Sequence, residues 1–172
     1  MRIHAALALL VAVTLLAWVH PAAAANLKVG VVDLQKVIDS SKPGQAIQGQ
    51  LKAEKDRMEA DLKKRGDEIE ELRQRLERET MVMSKEAKEE KEREGRIKVN
   101  DFRQLQKKYR ADLQGLELKL MGQLKQQISG LLEEIGKKDG YTLIISNIAV
   151  LYAPNSVDIT DILIKKLNAK VK

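Results

Sequence analysis

Few side chains in this sequence can do acid–base, nucleophilic or metal chemistry. The two histidines, His4 and His20, and the one tryptophan, Trp18, fall within the first 25 residues, and there is no cysteine. The rest of the chain therefore lacks the groups of a Cys/His zinc site, a thiol nucleophile or a Ser-His-Asp triad. A carboxylate-only or Ser-Lys site stays formally open, but the acidic residues are spread along predicted helices. We predict no enzymatic activity, no cofactor and no metal.

The ionisable side chains indicate binding instead. The sequence holds 31 Lys and Arg against 25 Asp and Glu, a net charge of +6, and such a balance favours acidic proteins, anionic lipid or nucleic acid as partners. Any single basic residue is explained equally well by a solvated helix face with acidic neighbours. The four aromatic residues after position 25 do not cluster for base stacking, so no nucleic acid is expected. The candidate basic contacts are Lys63, Lys64, Arg73, Lys107, Lys108 and Arg110.

Met81 and Val82 are the candidate apolar contacts. Methionine is flexible and polarizable, and it adapts to varied partners. Both residues lie off the apolar stripe of the helix that precedes them. We therefore expect this pair to be exposed and to contact a bound polypeptide.

The first 25 residues have the three parts of a secretory signal peptide. Arg2 provides the positive charge, residues 5–19 are apolar, and small residues precede a cleavage site that we place after Ala25. An apolar run of this length is short for a membrane span, which needs about 17–25 residues. The mature protein is expected in an oxidising compartment outside the cytoplasm, for which a chain without thiols is suited.

Two long helices are predicted over residues 43–138, joined as a hairpin. A heptad stripe on the first helix predicts a coiled-coil seam, whereas apolar residues on the second repeat every eleven positions, typical of a nearly straight helix. The densely charged residues 84–98 between them contain Gly95, and we place the tip there, between Lys88 and Gly95. The predicted seam consists of Leu62, Ile69, Leu76, Leu105, Leu113, Leu116 and Leu124.

Residues 26–42 and 139–172 are predicted to form a small β-rich body. A strand at 28–33 is followed by a helix capped by Asp33, and two runs, 141–145 and 148–152, read as an antiparallel hairpin before a final amphipathic helix. So few strands cannot close a barrel or bury all this apolar surface, so we expect the body to be completed by oligomerisation. Its predicted buried or interface residues are Val29, Val31, Ile144 and Val150.

The order of these elements resembles the Skp/OmpH family of periplasmic chaperones for outer-membrane proteins. The segments that carry the likeness are the signal peptide, the opening run at 28–37, the charged hairpin and the ending at 148–160. The resemblance implies an α+β fold in which long antiparallel helical hairpins project from a β-strand body completed by trimerisation. It further implies a periplasmic holdase that binds unfolded outer-membrane β-barrel proteins without ATP, and in some members binds lipopolysaccharide or an anionic membrane surface.

Two other functions fit parts of the sequence. An envelope coiled-coil adaptor that binds one folded partner would use the same helices. Histone-like binding of nucleic acid would follow from the charge alone, but it requires the signal peptide to be non-functional. Affinity for unfolded chains distinguishes the holdase from both.

Overall fold

The computed structural model describes residues 27–170, so the predicted signal peptide at 1–25 lies outside the described residues. The elements are β1 (Val29–Val32), α1 (Leu34–Ser40), α2 (Lys42–Glu79), α3 (Lys85–Asp139), β2 (Leu143–Ser146) and α4 (Thr160–Lys170). Two short 3₁₀ helices, Asn147–Ala149 and Asn155–Val157, lie between β2 and α4. Across residues 27–170, no helix is both long enough and apolar enough to cross a membrane.

Helices α2 and α3 begin and end where local chemistry dictates. Ser41 caps α2 by accepting a hydrogen bond from the Gly44 amide, and Pro43 lies in the first turn, where a missing N–H costs nothing. At the far end of α3, Gly140 adopts a left-handed conformation with φ of 70°, which ends the helix. The two helices pack side by side in opposite directions, confirming the predicted hairpin of long helices.

The turn between α2 and α3 lies at residues 80–84, so the prediction of a tip between Lys88 and Gly95 is wrong. Ser84 is an N-cap whose Oγ accepts from the Ala87 amide. The charged run beyond it is helical, and i,i+4 pairs such as Lys88 with Glu92 add to its stability. Gly95 does not break the helix.

The sheet is parallel, with Val29 opposite Leu143 and Val32 opposite Ser146. The predicted antiparallel hairpin of 141–145 and 148–152 is therefore wrong, since residues 147–149 turn as a 3₁₀ helix instead of starting a return strand. A parallel pair needs a long crossover, and here the whole helical hairpin supplies it. The other edge of β1 contacts the segment before α4, where the Ile159 amide donates to the Val31 carbonyl at 2.9 Å.

A single apolar core lies where the sheet, α1, α4 and the bases of α2 and α3 meet. We call residues 48–120 the arm and the other described residues, 27–47 and 121–170, the root. Leu124, predicted on the hairpin seam, instead belongs to the root core, because α4 covers this end of α3. The prediction therefore assigned too little of α3 to the root. The buried members of the core are Val32, Val37, Leu124, Ile128, Leu131, Ile135, Ile159, Leu163 and Leu167.

Candidate binding surface

The arm is held together by a seam that is half-buried except at Met58, which is buried, and by one polar contact between its helices. The Tyr109 hydroxyl donates to Asp61 Oδ2 at 2.8 Å, and the Arg65 Nε on the same helix as Asp61 donates to that oxygen at 2.9 Å. The bond from Arg65, followed by that from Tyr109, lowers the pKa of Asp61. The bond to Asp61 raises the pKa of Tyr109. The predicted seam residues of the arm are all half-buried: Leu62, Ile69, Leu76, Leu105, Leu113 and Leu116.

The contact of Asp61 with Tyr109 shows which positions of the two helices lie opposite each other. It places the two basic residues that follow Asp61 at the same height as the three that surround Tyr109, so five of the six predicted basic contacts lie around the middle of the arm. The sixth, Arg73, lies nearer the tip. The five are Lys63, Lys64, Lys107, Lys108 and Arg110, all exposed.

These cations differ in how far they are neutralised. Lys63 pairs with Asp67 at 2.7 Å, and Arg73 pairs with Glu77 at 3.1 Å. The other four, Lys64, Lys107, Lys108 and Arg110, form no ion pair with any residue between 27 and 170. The middle of the arm is therefore a basic surface whose unpaired positive charge can attract an acidic partner.

The predicted apolar contacts lie in the turn at the end of the arm. Met81 is 95% exposed and Val82 is 85% exposed. The turn lifts both side chains off the seam, so they have no place in the packing between α2 and α3. Their position makes the arm end in an apolar surface.

A groove between α2 and α3, about 610 Å³ in volume, lies just below the tip and was missed by the sequence reasoning. It opens where Gly95 faces Leu72, since glycine has no side chain and a Cβ at this position would lie 3.8 Å from Leu72 Cδ2. The available signal was the mismatch between the heptad stripe of α2 and the eleven-residue stripe of α3. Its lining comprises Ile69, Leu72, Arg73, Leu76, Lys91, Glu92, Gly95, Arg96, Val99, Asn100 and Arg103.

A second exposed apolar surface follows β2 at the root. Ile148 is 89% exposed and Tyr152 is 86% exposed, and Leu151 beside them is fully exposed. Of the residues predicted for the oligomerisation body, Val31 is buried, and Val29, Ile144 and Val150 are half-buried. The sequence thus located β1 and β2, but the predicted strand at 148–152 is instead an irregular segment with exposed apolar side chains.

No group of acidic, histidine or cysteine side chains between residues 27 and 170 is arranged to hold a metal ion. The titratable groups with shifted pKa values are mostly members of exposed ion pairs, such as Glu133 with Lys137. Their arrangement is that of solvated helix faces. The exposed apolar and basic surfaces can therefore bind a partner through apolar contacts and through charge.

A family model described as outer membrane protein (OmpH-like) matches residues 28–167. The fold is also that of a crystal structure of a candidate outer membrane chaperone (OmpH-like) from Caulobacter crescentus CB15. That match has a TM-score of 0.80 at 19% sequence identity and covers 84% of this chain and 86% of the other. No curated protein matches the sequence.

Proposed function

The chain belongs to the OmpH-like family of outer membrane proteins, and we propose that it is a periplasmic holdase chaperone for unfolded outer-membrane β-barrel proteins. The observation that carries the proposal is the arm. It is a two-helix projection, with α2 alone about 57 Å long at 1.5 Å per residue, whose seam is half-buried and whose end exposes Met81 and Val82. An unfolded client with apolar side chains needs many weak contacts of this kind and no single enclosed site.

The proposed chaperone is a homotrimer in which three arms surround a cavity. The exposed Ile148, Leu151 and Tyr152 support this assembly, because an apolar surface beside the open edge of β2 is a liability in an isolated chain. Three arms gain avidity, since each further contact with a held client forms at high effective concentration. Release needs no ATP, because a better binding partner for the client draws it away by mass action.

The export of the chain rests on the signal peptide at residues 1–25, with cleavage after Ala25. In the periplasm, the unpaired cations at the middle of the arm would attract acidic clients or anionic headgroups, lipopolysaccharide among them. This attraction falls with salt, because the Debye length is about 8 Å at physiological ionic strength.

The test dilutes a urea-unfolded outer-membrane β-barrel protein into buffer with the chain from residue 26 onward, and follows light scattering. We expect suppression of aggregation near one trimer per client, and a trimer by sedimentation. The double variant Met81→Ser with Val82→Ser should suppress aggregation less, with unchanged helix content. Ile162→Ser, at an exposed apolar position of the root, is the matched control and should behave as the native chain.

Unchanged aggregation with the native chain would overturn the holdase. Capture of one folded envelope protein at fixed stoichiometry, without affinity for unfolded chains, would establish the adaptor in its place. A monomer at all concentrations would remove the cavity between arms.

A further inference from the structure

We propose that the groove below the tip is a subsite for an extended client segment in which an apolar side chain is flanked by carboxylates. The inference rests on the proposed holdase function and locates one contact within it. The apolar side chain would enter the groove, and the carboxylates would lie against its basic rim.

The floor of the groove is apolar in a part of the arm that is otherwise densely charged. Ile69, Leu72 and Leu76 from α2 and Val99 from α3 line it, and Gly95 leaves the space above them unfilled. Apolar surface that faces water in this way gains free energy when another apolar group covers it. Its volume lies within the range of about 300–1,000 Å³ that is usual for ligand clefts.

The rim carries four cations and one carboxylate, Glu92. Arg73 and Lys91 are neutralised by acidic residues outside the groove, whereas Arg96 approaches Glu92 only to 3.8 Å. Arg103 forms no ion pair with any residue in the described part of the chain. The rim thus retains positive charge for an anionic group of the ligand.

The dimensions of the groove fit a short peptide. Its lining runs from residue 69 to 76 on α2 and from 91 to 103 on α3, which is about 10 to 18 Å at 1.5 Å per residue. An extended chain covers this length with roughly three to five residues at 3.3 Å each. One apolar side chain with a carboxylate on either side therefore fits, and a long segment would continue beyond the groove.

The experiment measures the fluorescence anisotropy of a labelled peptide of alternating glutamate and leucine mixed with the chain from residue 26 onward. Gly95→Leu places a side chain in the groove and should weaken binding at least tenfold. Gly115→Leu is the matched control, because it lies on the same helix with open space around it, and should leave binding unchanged. A lysine and leucine peptide should bind at least tenfold more weakly than the acidic one.

Arg103→Gln is a second variant, which removes a positive charge from the rim without adding a larger side chain between the helices. We expect it to weaken binding of the acidic peptide several-fold. Full affinity in both Gly95→Leu and Arg103→Gln would overturn the subsite. Binding of an anionic single-chain detergent, with no binding of either peptide, would overturn it as well. In either case, undiminished suppression of aggregation by Gly95→Leu in the scattering assay would show that the holdase function stands without the subsite.

Discussion

The root and the arm of this chain differ in how far they exclude water. In the root, Leu131, Ile135 and Leu163 are 1% exposed or less, enclosed by the sheet, α1, α3 and α4. In the arm, side chains such as Leu76 and Leu105 are half-buried, because each has only one opposing helix. The same types of residue thus contribute more to stability in the root, where more of their surface is removed from water.

This difference separates stability from recognition. Binding surfaces are generally drawn from the less stable parts of a protein, because exposed apolar and charged groups cannot also be packed. Here the apolar tip, the basic middle and the groove all lie on the arm, while the root fixes the ends of α2 and α3. The arm can therefore change its surface without loss of the fold.

The largest expected effect is a cavity in the root. Leu163→Ala should reduce the free energy of unfolding by about 2–5 kcal/mol, because this side chain is fully buried. Leu76→Ala in the arm should cost about 1 kcal/mol, since its side chain is half-buried. Urea unfolding at one fixed protein concentration measures both. Equal losses would show that the two regions are equally well packed.

A smaller effect on the free energy of unfolding is expected from two glycines on either side of the boundary between root and arm. A Cβ at Gly44 in the root would lie 1.9 Å from the Ile38 carbonyl oxygen, so Gly44→Ala must displace α1 from α2 and should cost about 1–3 kcal/mol. Gly49→Ala in the arm meets no atom within 4 Å and should stabilise by about 0.5–1 kcal/mol. Thermal unfolding followed by circular dichroism distinguishes the two signs. A stabilised Gly44→Ala variant would contradict the close contact.

The smallest effect concerns the contact of Tyr109 with Asp61, which is confined to the arm. Tyr109→Phe should raise hydrogen exchange a few-fold in arm peptides without changing exchange in the root, since only the hydrogen bond to Asp61 is lost. Mass spectrometry of the exchanged peptides measures this.

The same contact predicts a pH dependence. The pKa of Asp61 is lowered in the folded arm, so its contribution is complete above the unfolded value of about 3.9 and is lost as pH falls through the folded value. The pKa of Tyr109 is raised in the folded arm, so its contribution to the stability of the arm is complete below about pH 10. That contribution is lost as the pH rises through the pKa of the folded state. Protection of the arm from hydrogen exchange should therefore be flat near neutrality and fall at both extremes of pH. Asp61→Asn should reduce the loss at low pH without abolishing it, because the pKa values of Glu54 and Glu94 in the arm are also lowered. An unaltered loss at low pH in that variant would contradict the assignment.

The sequence predicts most of the helical architecture because the signals are local. Asp33 caps α1, accepting from the Lys36 amide as expected, and Gly140 ends α3 in the left-handed region. Asp158 accepts from the Thr160 amide at the start of the final helix. Each involves residues within a few positions of one another, so periodicity and capping rules suffice.

The failures involve contacts between residues far apart in the sequence. Ile144 and Ile145 belong to a β-rich run that was predicted to pair with the next run in the sequence, but their partners are in β1, on the other side of the helical hairpin. Gly95 was predicted to lie in the tip, but it lies within α3 and faces Leu72 on the opposite helix. The groove requires two helices in register, and that register depends on contacts between the helices such as the seam and the hydrogen bond of Tyr109 to Asp61. Tertiary context overrides propensity at each of these positions.

The parallel pairing of β1 with β2 also determines when the molecule can finish folding. Lys28 and Asp139, which hydrogen bond beside the sheet, are 111 positions apart, and α4, which supplies Leu163 and Leu167 to the core, comes later still. Contacts near a turn form quickly, whereas pairing across a long loop waits for closure of that loop. The arm can therefore form from contacts near its own turn before the root is complete, since the core of the root waits for β1 to pair with β2 and for α4 to pack.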